Sequence, residues 1–85
     1  MKELRILGVL VTNRTQNSIT VQHILTKFGC SIKTRLGLHE VTSDPYTNHG
    51  LILLELTGDK AEWEKLEAEL LKVEGVITKK ISFEI

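Results

Sequence analysis

Phe28-Gly29-Cys30-Ser31-Ile32 and Val73-Glu74-Gly75-Val76-Ile77 share one form: an amphipathic stretch closes on a glycine and a β-rich run begins. Each amphipathic stretch also follows an apolar run of strand character. The chain therefore divides into two strand–helix–strand halves. That order predicts an α+β, ferredoxin-like βαββαβ sandwich, a four-stranded antiparallel sheet with two helices on one face. With 85 residues there is room for one domain, spanning 1–85, and one modest core.

Working outward, residues 4–11 (Leu-Arg-Ile-Leu-Gly-Val-Leu-Val) are nearly continuous in apolar character, as in a central strand buried on both faces. A polar loop follows, and Asn17 is the predicted N-cap of a helix over 18–28. Val21, Ile24, Leu25 and Phe28 form its inner stripe, and Gly29 is placed for a left-handed cap. A second strand over 31–41 alternates, with Ile32, Leu36 and Leu38 on one side and Lys33, Arg35 and His39 on the other. It is an edge strand in this topology, where basic residues discourage edge-to-edge pairing. Residues 42–48, with Asp44-Pro45, form a hairpin loop. Residues 49–57 form a third strand, again apolar on both faces.

Gly58-Asp59 opens a second helix over 60–73, with Asp59 and Glu62 approximating a capping box. Trp63, Leu66, Leu70 and Val73 face inward, and Lys60/Glu64 and Lys65/Glu69 pair on the wet side. The last strand, 76–85, points Ile77, Ile81, Phe83 and Ile85 inward. Helices cover only one sheet face, yet the first and third strands offer apolar side chains to both. An uncovered apolar face on so small a domain is normally buried by a second copy, so a homo-oligomer, dimer or tetramer, is expected.

Composition narrows the partners. Eleven basic residues balance eleven acidic ones, so no global field favours nucleic acid or an anionic membrane. The central strands lack the aromatics on which single-stranded nucleic acid stacks. The longest uninterrupted apolar run, 51–54, is far too short to span a bilayer. Met1-Lys2-Glu3-Leu4-Arg5 leads directly into a strand without a signal-peptide pattern, and a cytoplasmic location is expected. Cys30 has no second cysteine to pair with and reads as a small buried apolar residue.

The segments Val11-Thr12-Asn13-Arg14, Ile24-Leu25-Thr26-Lys27-Phe28-Gly29, Arg35-Leu36-Gly37-Leu38, Gly50-Leu51-Ile52 and Val73-Glu74-Gly75-Val76 also carry a likeness. With them the chain resembles, over nearly its full length, the small family of iron-only hydrogenase system regulators. The resemblance implies an ACT-like domain, related to the C-terminal domain of nickel-responsive repressors, that oligomerises through its sheets. It also implies a ligand site near the first strand–helix loop and the edge of the second strand. Asn13, Arg14, Asn17, Arg35 and Gly37 are the ligand-facing set on that reading.

The residues themselves support part of it. The loop at 12–17 leads into a helix N-terminus, where free N–H groups favour anions, and Arg14 has the geometry for a bidentate pair with a carboxylate or phosphate. The plainer reading makes Asn13 and Arg14 loop residues and Arg35 an edge-strand gatekeeper. A second candidate is a zinc or nickel site using His39 and His49, which flank the hairpin with Glu40 beside the first. The nickel repressors place a cysteine where this chain has Gly50, so their metal square is not reproduced. No nucleophile–base pair is identifiable by spacing, and the chain does not read as an enzyme. The expected function is a small-ligand regulatory module, with a metal-binding regulator and a purely architectural oligomer as alternatives.

Overall fold

The chain runs β1 (Glu3–Thr12), α1 (Arg14–Lys27), a 3₁₀ turn (Gly29–Ser31), β2 (Ile32–Leu38), β3 (His49–Leu56), α2 (Lys60–Leu71) and β4 (Val76–Glu84) in a computed structural model that describes residues 2–38 and 49–85. The strands form one sheet in the order β2-β3-β1-β4, antiparallel at every pairing. This is the expected ferredoxin-like βαββαβ arrangement. The two strands that are apolar on both faces, β1 and β3, take the centre, and the more polar β2 and β4 take the edges.

Register divides the side chains between two faces. Leu7 lies opposite Leu54, Val9 opposite Ile52, and Val11 opposite both Gly50 and Val76. These residues face the helices. Leu7, Val9, Val11, Leu54, Leu56 and Val76 form the core with Val21, Leu25 and Phe28 from α1 and Trp63, Leu66 and Leu70 from α2. Each fully buried leucine here contributes about 1.5–3 kcal/mol relative to exposure.

Among the described residues no helix covers the opposite face. Leu4, Ile6 and Leu10 on β1, Leu51 and Leu53 on β3, Leu36 on β2, and Ile77, Ile81 and Phe83 on β4 share it. Leu36, Ile77, Ile81 and Phe83 are 50%, 48%, 55% and 51% exposed. Ile77, Ile81 and Phe83 thus lie across the sheet from the helices rather than in the helix-covered core. Pairing of Leu10 with Ile77 and of Ile6 with Ile81 commits them to the open face, and Val76 alone carries β4 into the core. Ile85, beyond the strand, is also exposed.

Four further local features differ from the sequence expectation. First, α1 begins at Arg14, and Asn13, not Asn17, occupies the N-cap position with φ 50°. Asparagine tolerates this left-handed conformation, so one residue turns the chain from β1 into the helix with no intervening loop. Second, Gly29 makes no left-handed cap: the helix ends at Phe28 with φ −101° and passes into the 3₁₀ turn, leaving Cys30 exposed. Third, a register shift between Ile32 and Thr34 places Ile32 opposite Leu56 and Leu36 opposite Leu53, so the two point to opposite faces. Fourth, the helix charges pair mainly between elements: Lys60 with Glu3, Glu64 with Arg5 and Glu69 with Lys27, while Lys65 takes Glu62 three residues back. The Asp59 cap holds as expected, its carboxylate accepting from the Ala61 N–H at 2.9 Å.

Candidate functional site

The junction of β1 and α1 is fixed by hydrogen bonds to the turn before β4. The Thr12 N–H donates to the Gly75 carbonyl at 3.0 Å, and the Thr12 hydroxyl donates to the same oxygen. The Asn17 amide donates to the Thr12 carbonyl at 3.0 Å and to the Glu74 carbonyl at 2.9 Å. Gly75 has φ +87°, and a Cβ there would stand 2.5 Å from Thr12 Oγ1. Only glycine fits both the conformation and the approach.

A cleft of about 610 Å³ opens beside α1, between its first turns and the β2–β3 side of the sheet. Its floor includes main chain at Gly37 and Gly50, flanked by Ile52 and Val11. Its wall is Arg14, Thr15, Ser18, Val21 and Gln22. Arg14 lies directly over Gly50: a Cβ at Gly50 would be 3.1 Å from Arg14 Cδ. Among the described residues no carboxylate pairs with the Arg14 guanidinium. Arg35 reaches from β2 to α1, where its guanidinium donates to the Gln22 side-chain oxygen. A cation over a mainly apolar floor is suited to an anionic group carried on an apolar body.

The five residues of the predicted ligand set therefore separate. Arg14 and Gly37 line the cleft, Arg35 borders it through Gln22, and Asn13 and Asn17 are not part of the lining. Thr15, Ser18, Gln22 and Gly50 were not in the predicted set. For Gly50 a signal exists in the sequence, a glycine opening an otherwise aliphatic run. For Ser18 and Gln22 the signal is recoverable only once the helix is known to start at Arg14, which puts them on the same side as that residue.

Of the predicted metal ligands, His49 opens β3 opposite Thr12 and is exposed, while His39 lies outside the described residues. Among the described residues no three His, Cys, Asp or Glu side chains cluster so as to hold a metal ion. Nor is any helix among them long and apolar enough to cross a membrane.

At the other end of the sheet, Arg5 is buried on the helix face. Its Nε donates to Glu3 at 2.7 Å, its Nη1 to Glu64 at 3.2 Å, and its guanidinium lies 5.2 Å from the Trp63 ring centroid. Lys60 sits 2.6 Å from the second Glu3 oxygen, and the Ser82 hydroxyl donates to the first at 2.7 Å. Lys60 foremost, then Ser82 and Arg5, hold the Glu3 carboxyl at about 2, against an ordinary 4.5. Trp63 Nε1 donates to the Thr57 carbonyl at 2.8 Å. The cluster fastens α2 to β1 and β4.

The chain matches no family in a scan of protein families, and no curated protein matches it. Solved structures do. An uncharacterized protein from Thermotoga maritima superposes with TM-score 0.81 at 24% identity, covering 98% of this chain and 100% of that one. A nitrogen regulatory PII-like protein from Thiomonas intermedia K12, solved bound to ADP, AMP and bicarbonate, gives TM-score 0.68 at 8% identity over 99% of this chain and 91% of that one. A dimeric ferredoxin-like protein of unknown function from Thermobifida fusca gives TM-score 0.50 at 11% identity over 95% and 91%. These likenesses establish the ferredoxin-like fold.

Proposed function

We propose that this chain is a non-catalytic regulatory domain that binds a small anionic ligand in the α1/β2–β3 cleft and works as a homo-oligomer packed through its open sheet face. The observation that carries the ligand reading is Arg14: its stem lies over Gly50 in the wall of a cleft, and its guanidinium has no carboxylate partner among the described residues. A cation with no carboxylate partner among the described residues, beside an apolar floor, is poised for a ligand's negative charge. The described lining has no carboxylate, imidazole or thiol, which favours binding over chemistry. That a fold neighbour was solved bound to ADP, AMP and bicarbonate supports this reading.

Oligomerisation rests on the open face. Its apolar side chains run across all four strands and are half-exposed on both edge strands, an arrangement that a second sheet buries. A ligand at the cleft then acts by favouring one arrangement of the assembly over another. The output implied by the sequence resemblance is regulation of an iron-only hydrogenase system. Deleting the gene in a host that carries such a hydrogenase tests that output, and unchanged hydrogenase activity contradicts it.

The ligand reading is tested by thermal unfolding with AMP, ADP, bicarbonate, acetate and phosphate added singly. A saturable rise in Tm with at least one of them, absent in Arg14→Ala, is the expected result. No rise with any of the five contradicts it.

A further inference from the structure

The cleft floor carries information about the body of the ligand as well as its charge. Gly37 lies within β2, where glycine weakens a strand by about 0.5–1 kcal/mol relative to alanine. Among the described residues nothing calls for glycine there: its φ is not left-handed, and a Cβ at Gly37 would meet none of them within 4 Å. Pairing of Gly37 with Ile52 directs the missing side chain to the helix-facing side, into the cleft. Gly50, also on that face, leaves space that the Arg14 stem fills, which sets that stem beside the open position at Gly37.

We infer that the open position at Gly37, bounded by the Arg14 stem over Gly50, is a ring slot, and that the ligand is a flat aromatic or heteroaromatic ring carrying one anionic group. The inference rests on the proposed ligand site at Arg14 and specifies what enters it. Main chain uncovered at Gly37 presents a flat peptide surface on which a planar ring stacks. Ile52, Val11 and Val21 supply the apolar surround, and Arg14 meets the charged substituent at the rim. A puckered or branched body of the same charge leaves this floor poorly filled.

The test is a set of amide NMR titrations of the full chain with three probes: benzoate, cyclohexanecarboxylate and benzamide. The first two differ in planarity at equal charge, and the third keeps the ring without the charge. The slot predicts that benzoate perturbs the Gly37, Gly50 and Ile52 amides with at least about fivefold tighter binding than either other probe. Gly37→Leu, which fills open space, is expected to keep the wild-type Tm and abolish the preference, with Gly37→Ala intermediate. Equal binding of the two carboxylates, both lost in Arg14→Ala, overturns the slot while the anion site stands. Failure of both carboxylates to perturb the cleft amides overturns the slot and the anion site together. So does a benzoate response confined to Ile77, Ile81 and Phe83, which reports the open face alone.

Discussion

Arg14 crosses β3 at the one position where that strand has no side chain, its Cδ 3.1 Å from where a Gly50 Cβ would stand. The contact fixes where the guanidinium sits, because a larger residue at 50 lifts the arginine stem off the sheet. Gly50→Ala is therefore expected to displace Arg14 by a few tenths of an ångström and weaken anion binding by about 3–10-fold. Tm should stay near wild type, since the side chain that must yield is flexible. Calorimetric titration with whichever anion raises Tm measures the first effect, and unchanged affinity contradicts it.

Gly75→Ala addresses the clamp on the other side of α1. It forces alanine to φ +87° and brings a methyl within 2.5 Å of Thr12 Oγ1. A loss of about 1–3 kcal/mol is expected, read as a lower urea midpoint at unchanged slope. A midpoint equal to wild type contradicts the clamp.

Asn17 has two carbonyls as partners, so its substitutions are ordered by sign. Asn17→Ala leaves both acceptors without this donor and is expected to lose about 1–2 kcal/mol. Asn17→Asp sets a carboxylate against the same two oxygens and should lose more at neutral pH. Urea unfolding of both variants checks the order, and an Asp variant as stable as wild type would contradict the assignment.

These residues mark how far the sequence could be read. The fold was legible because its determinants are local and periodic: two apolar central strands, two amphipathic stretches, and a glycine at each return. Side-chain direction on the edge strands was not. A single register shift between Ile32 and Thr34 sends Ile32 and Leu36 to opposite faces, and periodicity cannot register one inserted residue. The start of α1 was displaced because Asn17 has the chemistry of a cap, while the actual turn uses the left-handed tolerance of Asn13. Arg14 and Gly37, which the family resemblance put in the ligand-facing set, both line the cleft.

Glu3 gives a pH prediction. Its carboxyl is held at about 2 in the folded chain, against an ordinary 4.5, by Lys60, Ser82 and Arg5. A depressed folded value means that the stabilisation is complete above about 4.5 and is lost as pH falls from there toward 2. Glu3→Gln should remove that dependence, flattening the acid limb of the Tm–pH curve. Parallel acid limbs for the two proteins contradict the assignment.

The open face predicts a change of assembly without a change of fold. Ile81→Glu and Phe83→Glu place a charge on half-exposed strand positions across the sheet from the core. Each is expected to give a folded monomer by light scattering with wild-type circular dichroism, because a desolvated unpaired carboxylate opposes burial of that face. An unchanged assembly contradicts packing through this face.

The central claim joins the cleft to the assembly, and a native mass spectrum of the purified protein beside its Arg14→Ala variant tests both in one measurement. The account predicts an oligomer carrying a stoichiometric small-molecule adduct in the wild type, and the same oligomer without the adduct in the variant. A bare monomer, or an adduct retained equally by Arg14→Ala, contradicts it.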